Sequence, residues 1–239
     1  MPASRFRPFF KGDDMRLKSI LLVLTALFLH CNNYDLLEKL QNPAVAGSTT
    51  AKLYAFVNPS STLGNMSGLT NGGCSGSGIT RADCSCQDFA VANGLIRTSG
   101  TKFVAWLSST TEDMRCRLPG GTSNNCAIPD RIVTWYNMMD EPIATSYQDL
   151  FDGNILNPIK YTPNKQLTGA AKVWSGTDSN GLRGGAGAAT ANCTNWTDGS
   201  ATATAPVYGT PLSTGTGWSN TGTEPDCSGS YPVYCLQVP

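Results

Sequence analysis

Histidine is almost absent: the 239-residue chain has one, His30, at the end of an apolar run. Everything after it therefore lacks the imidazole that Ser-His-Asp and Cys-His nucleophilic sites require, and lacks the imidazole ligands of most zinc sites. Charge is scarce as well, at 14% of residues, with 17 basic residues against 17 acidic ones. No basic stripe is present, which excludes a nucleic-acid footprint. Long apolar runs are missing too. The longest, Ile20–Leu29, is ten residues, about half of the roughly 20 that a membrane-spanning helix needs. Asp178, Asp198 and Asp226 are scattered carboxylates without a partner base. None is assigned to catalysis, the chain is not read as an enzyme, and no cofactor is implied.

What is present starts with a leader. Arg16 and Lys18 precede the apolar run, the charge pattern of a secretion signal. Met15 stands just before them and reads as the true start, with residues 1–14 upstream of it. The sequence Phe28-Leu-His-Cys31 resembles a bacterial lipoprotein signal, in which the cysteine is acylated and becomes the first residue. His30 departs from that pattern, which has a small residue there. The resemblance implies a lipid anchor at Cys31 and exposure on the outer membrane or cell surface. Without lipidation the chain is secreted. Several acyl chains, at about 0.8 kcal/mol per buried methylene, make a firm anchor. The resulting division is residues 1–30 signal, 31–50 lipidated tether and 51–239 folded domain. Removing residues 1–30 takes away five basic and two acidic residues and leaves a net charge of about −3.

Within the domain, Lys52-Leu-Tyr-Ala-Phe-Val57 is rich in β-formers and ends at Asn58-Pro59, so it reads as the opening strand. Ile79–Asn93 is the clearest helix, with Thr80 able to cap it, Asp83 in its first turn and Gly94 as its stop. Its apolar stripe is Ala82, Cys86, Phe89 and Ala90. Cys84 lies about 200° around the axis from Cys86, so the two face different partners. Lys102–Leu107 reads equally as a buried strand or a short helix. Cys116 and Cys126 bracket a loop with Pro119-Gly120-Gly121. Thr145 or Ser146 caps a brief helix to Phe151, and Val233–Gln237 reads as the last strand.

Eight cysteines lie between Cys74 and Cys235. Four bonds among eight cysteines allow 105 pairings. A core-facing helix cysteine and a last-strand cysteine staple the domain ends, which makes Cys86–Cys235 the first choice. Cys193–Cys227 then clamps the long loop region, Cys116–Cys126 closes its own loop, and Cys74–Cys84 pins the glycine-rich approach to the helix. A cysteine-only zinc site through Cys84-Ser-Cys86 is the competing use, but export favours disulfides, and no metal is assigned.

A helix cysteine joined to a last-strand cysteine around an inner pair resembles the C-type-lectin-like fold that endostatin shares. The chain more specifically resembles the leptospiral endostatin-like lipoproteins. The residues that carry the likeness are Leu63-Gly-Asn-Met-Ser-Gly68, Ala82-Asp83 with Cys86-Gln87 and Ala90, Ala105-Trp-Leu-Ser108, Trp174-Ser-Gly176, Cys193-Thr-Asn-Trp196 and Tyr234-Cys235. The resemblance implies an α+β C-type-lectin-like (endostatin-like) domain in a spirochaete surface lipoprotein. It also implies adhesin function towards host extracellular-matrix proteins such as laminin and fibronectin, the complement regulator factor H, and plasminogen. Two features depart from the pattern: the additional Cys74, Cys84, Cys116 and Cys126, and Asp140-Glu141-Pro142 where the family has an Asp-Gly turn.

Two other functions compete. Glu141-Pro142 and Asn195-Trp196-Thr197-Asp198 loosely match the elements of a calcium-dependent, carbohydrate-binding lectin, against a plain turn and a core tryptophan. A structural envelope lipoprotein with no soluble partner is the third. For partner binding the candidates are Trp218, read as an exposed anchor, and the basic stretch Lys160, Lys165, Lys172 and Arg183. Trp174 and Trp196 are read as core. Nothing in the sequence sets the oligomeric state.

Overall fold

The β-rich run after residue 52 does form a strand. In the computed structural model, which describes residues 52–69, 73–96, 100–184, 192–200 and 205–239, it is β1 (Leu53–Val57). The signal, Cys31 and the tether lie outside the described residues. The described chain continues through α1 (Gly78–Ala92), β2 (Phe103–Ala105), α2 (Met114–Arg117), β3 (Trp135–Tyr136), β4 (Pro142–Ala144), α3 (Tyr147–Leu150) and β5 (Val173–Trp174). After a single turn at Cys193–Trp196 come β6 (Val207–Gly209), a 3₁₀ turn at Thr216–Trp218, β7 (Gly222–Thr223) and β8 (Tyr234–Gln237). The domain is α+β, and four disulfides hold it: Cys74–Cys84, Cys86–Cys235, Cys116–Cys126 and Cys193–Cys227. These are the same four pairs put forward from the sequence. No helix among the described residues is long and apolar enough to cross a membrane.

Five strands form one sheet in the order β2-β8-β1-β3-β4, and β5-β6-β7 form a smaller one. β1 runs antiparallel to β8 and parallel to β3. Because side chains alternate along a strand, the central pair serves two cores. Leu53, Ala55 and Val57 of β1, with Tyr234 and Leu236 of β8, enter a cluster that holds Trp106, Trp135, Tyr147, Phe151 and Trp218. Phe56 and Cys235 point the other way, into a cluster with Ala82, Cys86 and Ala90 of α1 and with Trp174 and Trp196. A sheet covered on both faces explains why β1 is apolar at nearly every position.

The helix begins earlier than the sequence suggests. Ser77 is the N-cap, without a side-chain cap bond, and Thr80 lies inside the helix, so neither Thr80 capping nor a first-turn Asp83 holds. The reason is Gly78, whose φ is +58° and where a Cβ would sit 2.6 Å from the Asn195 carbonyl oxygen. Only glycine tolerates both the left-handed backbone and that approach. Gly94 ends the helix with φ +67°. Phe89 is partly buried, while Ala82, Cys86 and Ala90 are fully buried.

Asp83 instead serves the edge strand. β2 lies at the rim of the large sheet, where unpaired backbone groups invite aggregation. The α1 side chains Gln87 and Asp83, four residues apart, accept from the backbone N–H of Phe103 (2.8 Å) and Ala105 (2.8 Å). The edge is thereby covered by the helix that packs on it. Arg117 locks the same corner. Its guanidinium donates to both Asp83 carboxylate oxygens (2.8 and 2.7 Å) and to the carbonyls of Ala105 and Leu107 (3.0 and 2.6 Å). The stretch after Cys116, expected to be loop, begins as the helical turn α2 that delivers this arginine.

Tyr234 makes stability fall in alkali. Its hydroxyl is fully buried and donates to the Trp218 carbonyl (2.9 Å), and burial raises its pKa well above the usual value of 10. Burial shifts Tyr147 in the same direction. The unfolded chain releases these protons near pH 10 and the folded chain does not, so above that pH the unfolded state binds fewer protons. Stability then declines with rising pH by up to about 1.4 kcal/mol per unit for each such group. Urea unfolding at about pH 9 and about pH 11 checks this, and Tyr234→Phe should flatten the loss.

Candidate binding surface

The smaller sheet places a cation among aromatic rings. Lys172 precedes β5, Tyr208 lies in β6, Glu224 follows β7 and Tyr231 precedes β8. The Lys172 ammonium stands 4.4 Å from the Tyr208 ring centroid and 5.6 Å from that of Tyr231, and it pairs with the Glu224 carboxylate. That hydrogen bond raises the Lys172 pKa, so the lysine stays charged. Tyr231 is raised by burial and then by the neighbouring Glu224 charge. Beneath, Trp174 meets Tyr231 edge-on at 4.8 Å and donates its indole N–H to the Thr62 carbonyl (2.9 Å). Lys172, Tyr208, Tyr231 and Glu224 are all partly exposed. Tyr208 and Tyr231 each offer an apolar body and a hydrogen-bonding tip, and the Lys172–Glu224 pair beside them is fixed and polar.

A second cluster lies at the β3–β4 hairpin. Lys52 donates to Asp140 (3.0 Å), Tyr54 donates to the same oxygen (3.1 Å), and Lys52 stands 5.0 Å over the Tyr136 ring. The Lys52 bond, then the Tyr54 bond, lowers the Asp140 pKa. Met139 is exposed beside it. Asp140 has φ +61° and its N–H bonds to the Asn137 carbonyl, so the tight hairpin turn is Asn137–Asp140, and Pro142, the last residue of the expected Asp140-Glu141-Pro142 turn, already opens β4.

The residues singled out from the sequence sort unevenly. Trp218 is not exposed. It is fully buried, 4.6 Å from Trp106 and 5.8 Å from Tyr234 between ring centroids, and is withdrawn as a surface anchor. The 3₁₀ turn rolls it inward, and β6 accepts it closely. A Cβ at Gly209 would lie 2.1 Å from the Trp218 carbonyl oxygen. The basic stretch is not a set of free cations: Lys172 is paired, and Arg183 donates to the Thr110 carbonyl (3.0 Å) while its backbone N–H bonds Asp113. Lys160 stands 5.3 Å over Tyr161, and exposed Lys165 contributes to the field at Asp140. No sequence motif joins Tyr208, Tyr231 and Glu224 to Lys172, from which Glu224 stands 52 positions away and Tyr231 further still.

All five tryptophans are fully buried. Native fluorescence should therefore be blue-shifted and shielded from iodide, with quenching appearing only on unfolding. An iodide-accessible fraction of about one fifth in the native chain would restore an exposed Trp218.

The lectin elements have other duties. The Glu141 carboxylate accepts from Asn137 (2.7 Å), and Asn195 accepts from the Thr110 backbone and hydroxyl (2.8 Å each). Asp198 accepts from the Ser200 N–H (2.7 Å). Asn195 belongs to a turn in which Cys193, Thr194, Asn195 and Trp196 all have φ between +51° and +63°. Four consecutive non-glycine residues in this region are costly. The turn persists because the Cys193–Cys227 bond, the Asn192 side chain accepting from the Asn195 N–H, and the Trp196 indole N–H on the Ser108 carbonyl fix it from three sides.

No protein-family model matches the chain, and no curated protein matches it.

Proposed function

We propose that this chain is an exported, lipid-anchored surface protein whose C-type-lectin-like domain binds host proteins of the extracellular matrix and complement regulation. The observation that carries this reading is the cluster of Lys172, Tyr208, Tyr231 and Glu224, partly exposed on the smaller sheet. The Cys193–Cys227 bond fixes the segment between Glu224 and Tyr231, and Cys86–Cys235 fixes β8 just after Tyr231, so part of the ordering cost of binding is met before a partner arrives. Pairing of all eight domain cysteines favours binding over thiol chemistry. The lectin-like fold is supported by β1 pairing with β8 and by α1 being stapled to β8.

Laminin, fibronectin, factor H and plasminogen, immobilised and titrated with the purified domain, provide the test. Saturable binding that disappears after reduction and alkylation is expected. Failure with all four removes the adhesin reading. A calcium-induced rise in Tm together with glycan binding would replace it with the lectin, and protease-inaccessibility on intact cells would favour an envelope role.

A further inference from the structure

Asp88 lies one helical turn beyond Cys84 on α1. Its Oδ2 atom is 3.0 Å from Cys74 Sγ and 3.9 Å from Cys84 Sγ. These two sulfurs are bonded to each other, and a disulfide sulfur has no proton to donate. The carboxylate is thus aimed at two sulfurs from which it gains no hydrogen bond. Among the described residues, Cys74, Cys84 and Asp88 are the one set of three sulfur or carboxylate donors within 4.8 Å of one another. Cys84 and Asp88 are partly exposed, so reagents in solution reach the site, whereas Cys86, Cys235, Cys193 and Cys227 are fully buried.

We propose that Cys74, Cys84 and Asp88 form a redox-gated site for a thiophilic divalent cation such as zinc, filled only when the Cys74–Cys84 bond is reduced. An external dithiol supplies two electrons and two protons. The S–S bond breaks, two thiols form, and the dithiol leaves as its own disulfide. The cation then replaces the two thiol protons, which pass to water, and forms two metal–sulfur bonds. Asp88 supplies an oxygen ligand, and water completes four-coordination. Reduction separates the sulfurs to about 3.8 Å, the edge of a tetrahedron with zinc–sulfur bonds of about 2.3 Å. A sulfur–oxygen edge of the same tetrahedron is about 3.6 Å, between the 3.0 and 3.9 Å at which Asp88 Oδ2 stands from Cys74 and Cys84 Sγ. In the oxidised chain the same residues hold the approach to α1 instead.

Cobalt(II) is the probe, added to the full chain before and after mild dithiol treatment, with alkylation mapping to identify the opened bond. The reduced chain should take up one cobalt with a thiolate-to-cobalt charge-transfer band that zinc abolishes, and the oxidised chain should show none. Cys74→Ser should remove the band. Asp88→Asn should weaken binding by more than about tenfold, the loss that even an outer-shell partner causes. Cys116→Ser/Cys126→Ser should leave the band intact. The proposal is overturned by no band after mapped opening of Cys74–Cys84, by a band that survives Cys74→Ser, by unchanged affinity in Asp88→Asn, or by unfolding before that bond opens.

Discussion

Replacing Cys86 and Cys235 together with alanine should destabilise the domain more than removing any other cystine. The bond spans 149 positions. Restricting so long a loop in the unfolded chain contributes about 5 kcal/mol in the chain-entropy account, against about 3 kcal/mol for each 10-residue closure. The two short closures are Cys74–Cys84 and Cys116–Cys126. The long bond also joins α1 to β8, whose partner β1 is the other end of the described domain. Both cysteines are fully buried in the cluster with Ala82, Phe103 and Trp174, so the variant loses packing as well as the crosslink. Urea unfolding of the double variant should show a folded baseline that is short or missing, while the Cys74→Ala/Cys84→Ala variant keeps a clear transition. Equal losses from the two would mean that the long staple does not dominate.

The second large effect belongs to Arg117. Its side chain is 6% exposed and meets Asp83 at 2.7 Å, with Glu112 at 3.5 Å. Replacing it with methionine keeps the volume and leaves Asp83 beside two carbonyls that have lost their donor. Breaking a fully buried pair from one side costs about 3–5 kcal/mol, and because the Asp83 side chain is 29% exposed the expected loss in urea is about 3 kcal/mol, the lower end of that range. Combining Arg117→Met with Asp83→Asn should cost less than the sum of the two single changes, because both act on one network. Strict additivity would show that the arginine acts only through its carbonyl contacts. Loosening of β2 should accompany the loss, seen as faster amide exchange at Phe103 and Ala105.

Much of this architecture is legible in residues that act locally or through covalent bonds. The β-formers of Leu53–Val57 make a strand because the pattern needs no distant partner to be read. Cys86 and Cys84 face different ways because a helix turns by a fixed angle, and their separate bonds follow. Ser146 caps α3 by accepting from the Asp149 N–H (3.0 Å), one of the two caps expected there. What stays hidden depends on chain folding back from far away. Trp218, between Gly217 and Ser219, looks like a loop residue until Trp106, 112 positions earlier, is brought against it. Arg117 looks like a loop cation until α1 presents Asp83. Lys172 looks like part of a basic stretch until Glu224, 52 residues on, neutralises it. The left-handed turn at Cys193–Trp196 has no local signature, since its strain is held by Cys227 and Ser108.

The central claim is recognition by the smaller sheet, and its most direct measurement compares the wild-type domain with Lys172→Ala/Tyr208→Ala for binding to whichever host protein gives saturation. Both residues are partly exposed, so the variant should keep its near-ultraviolet circular dichroism and its four disulfides. The account predicts that affinity falls by at least about tenfold, the loss of about 1.4 kcal/mol or more that marks an interface anchor. Unchanged affinity in a folded variant would contradict it and move the binding surface elsewhere on the domain.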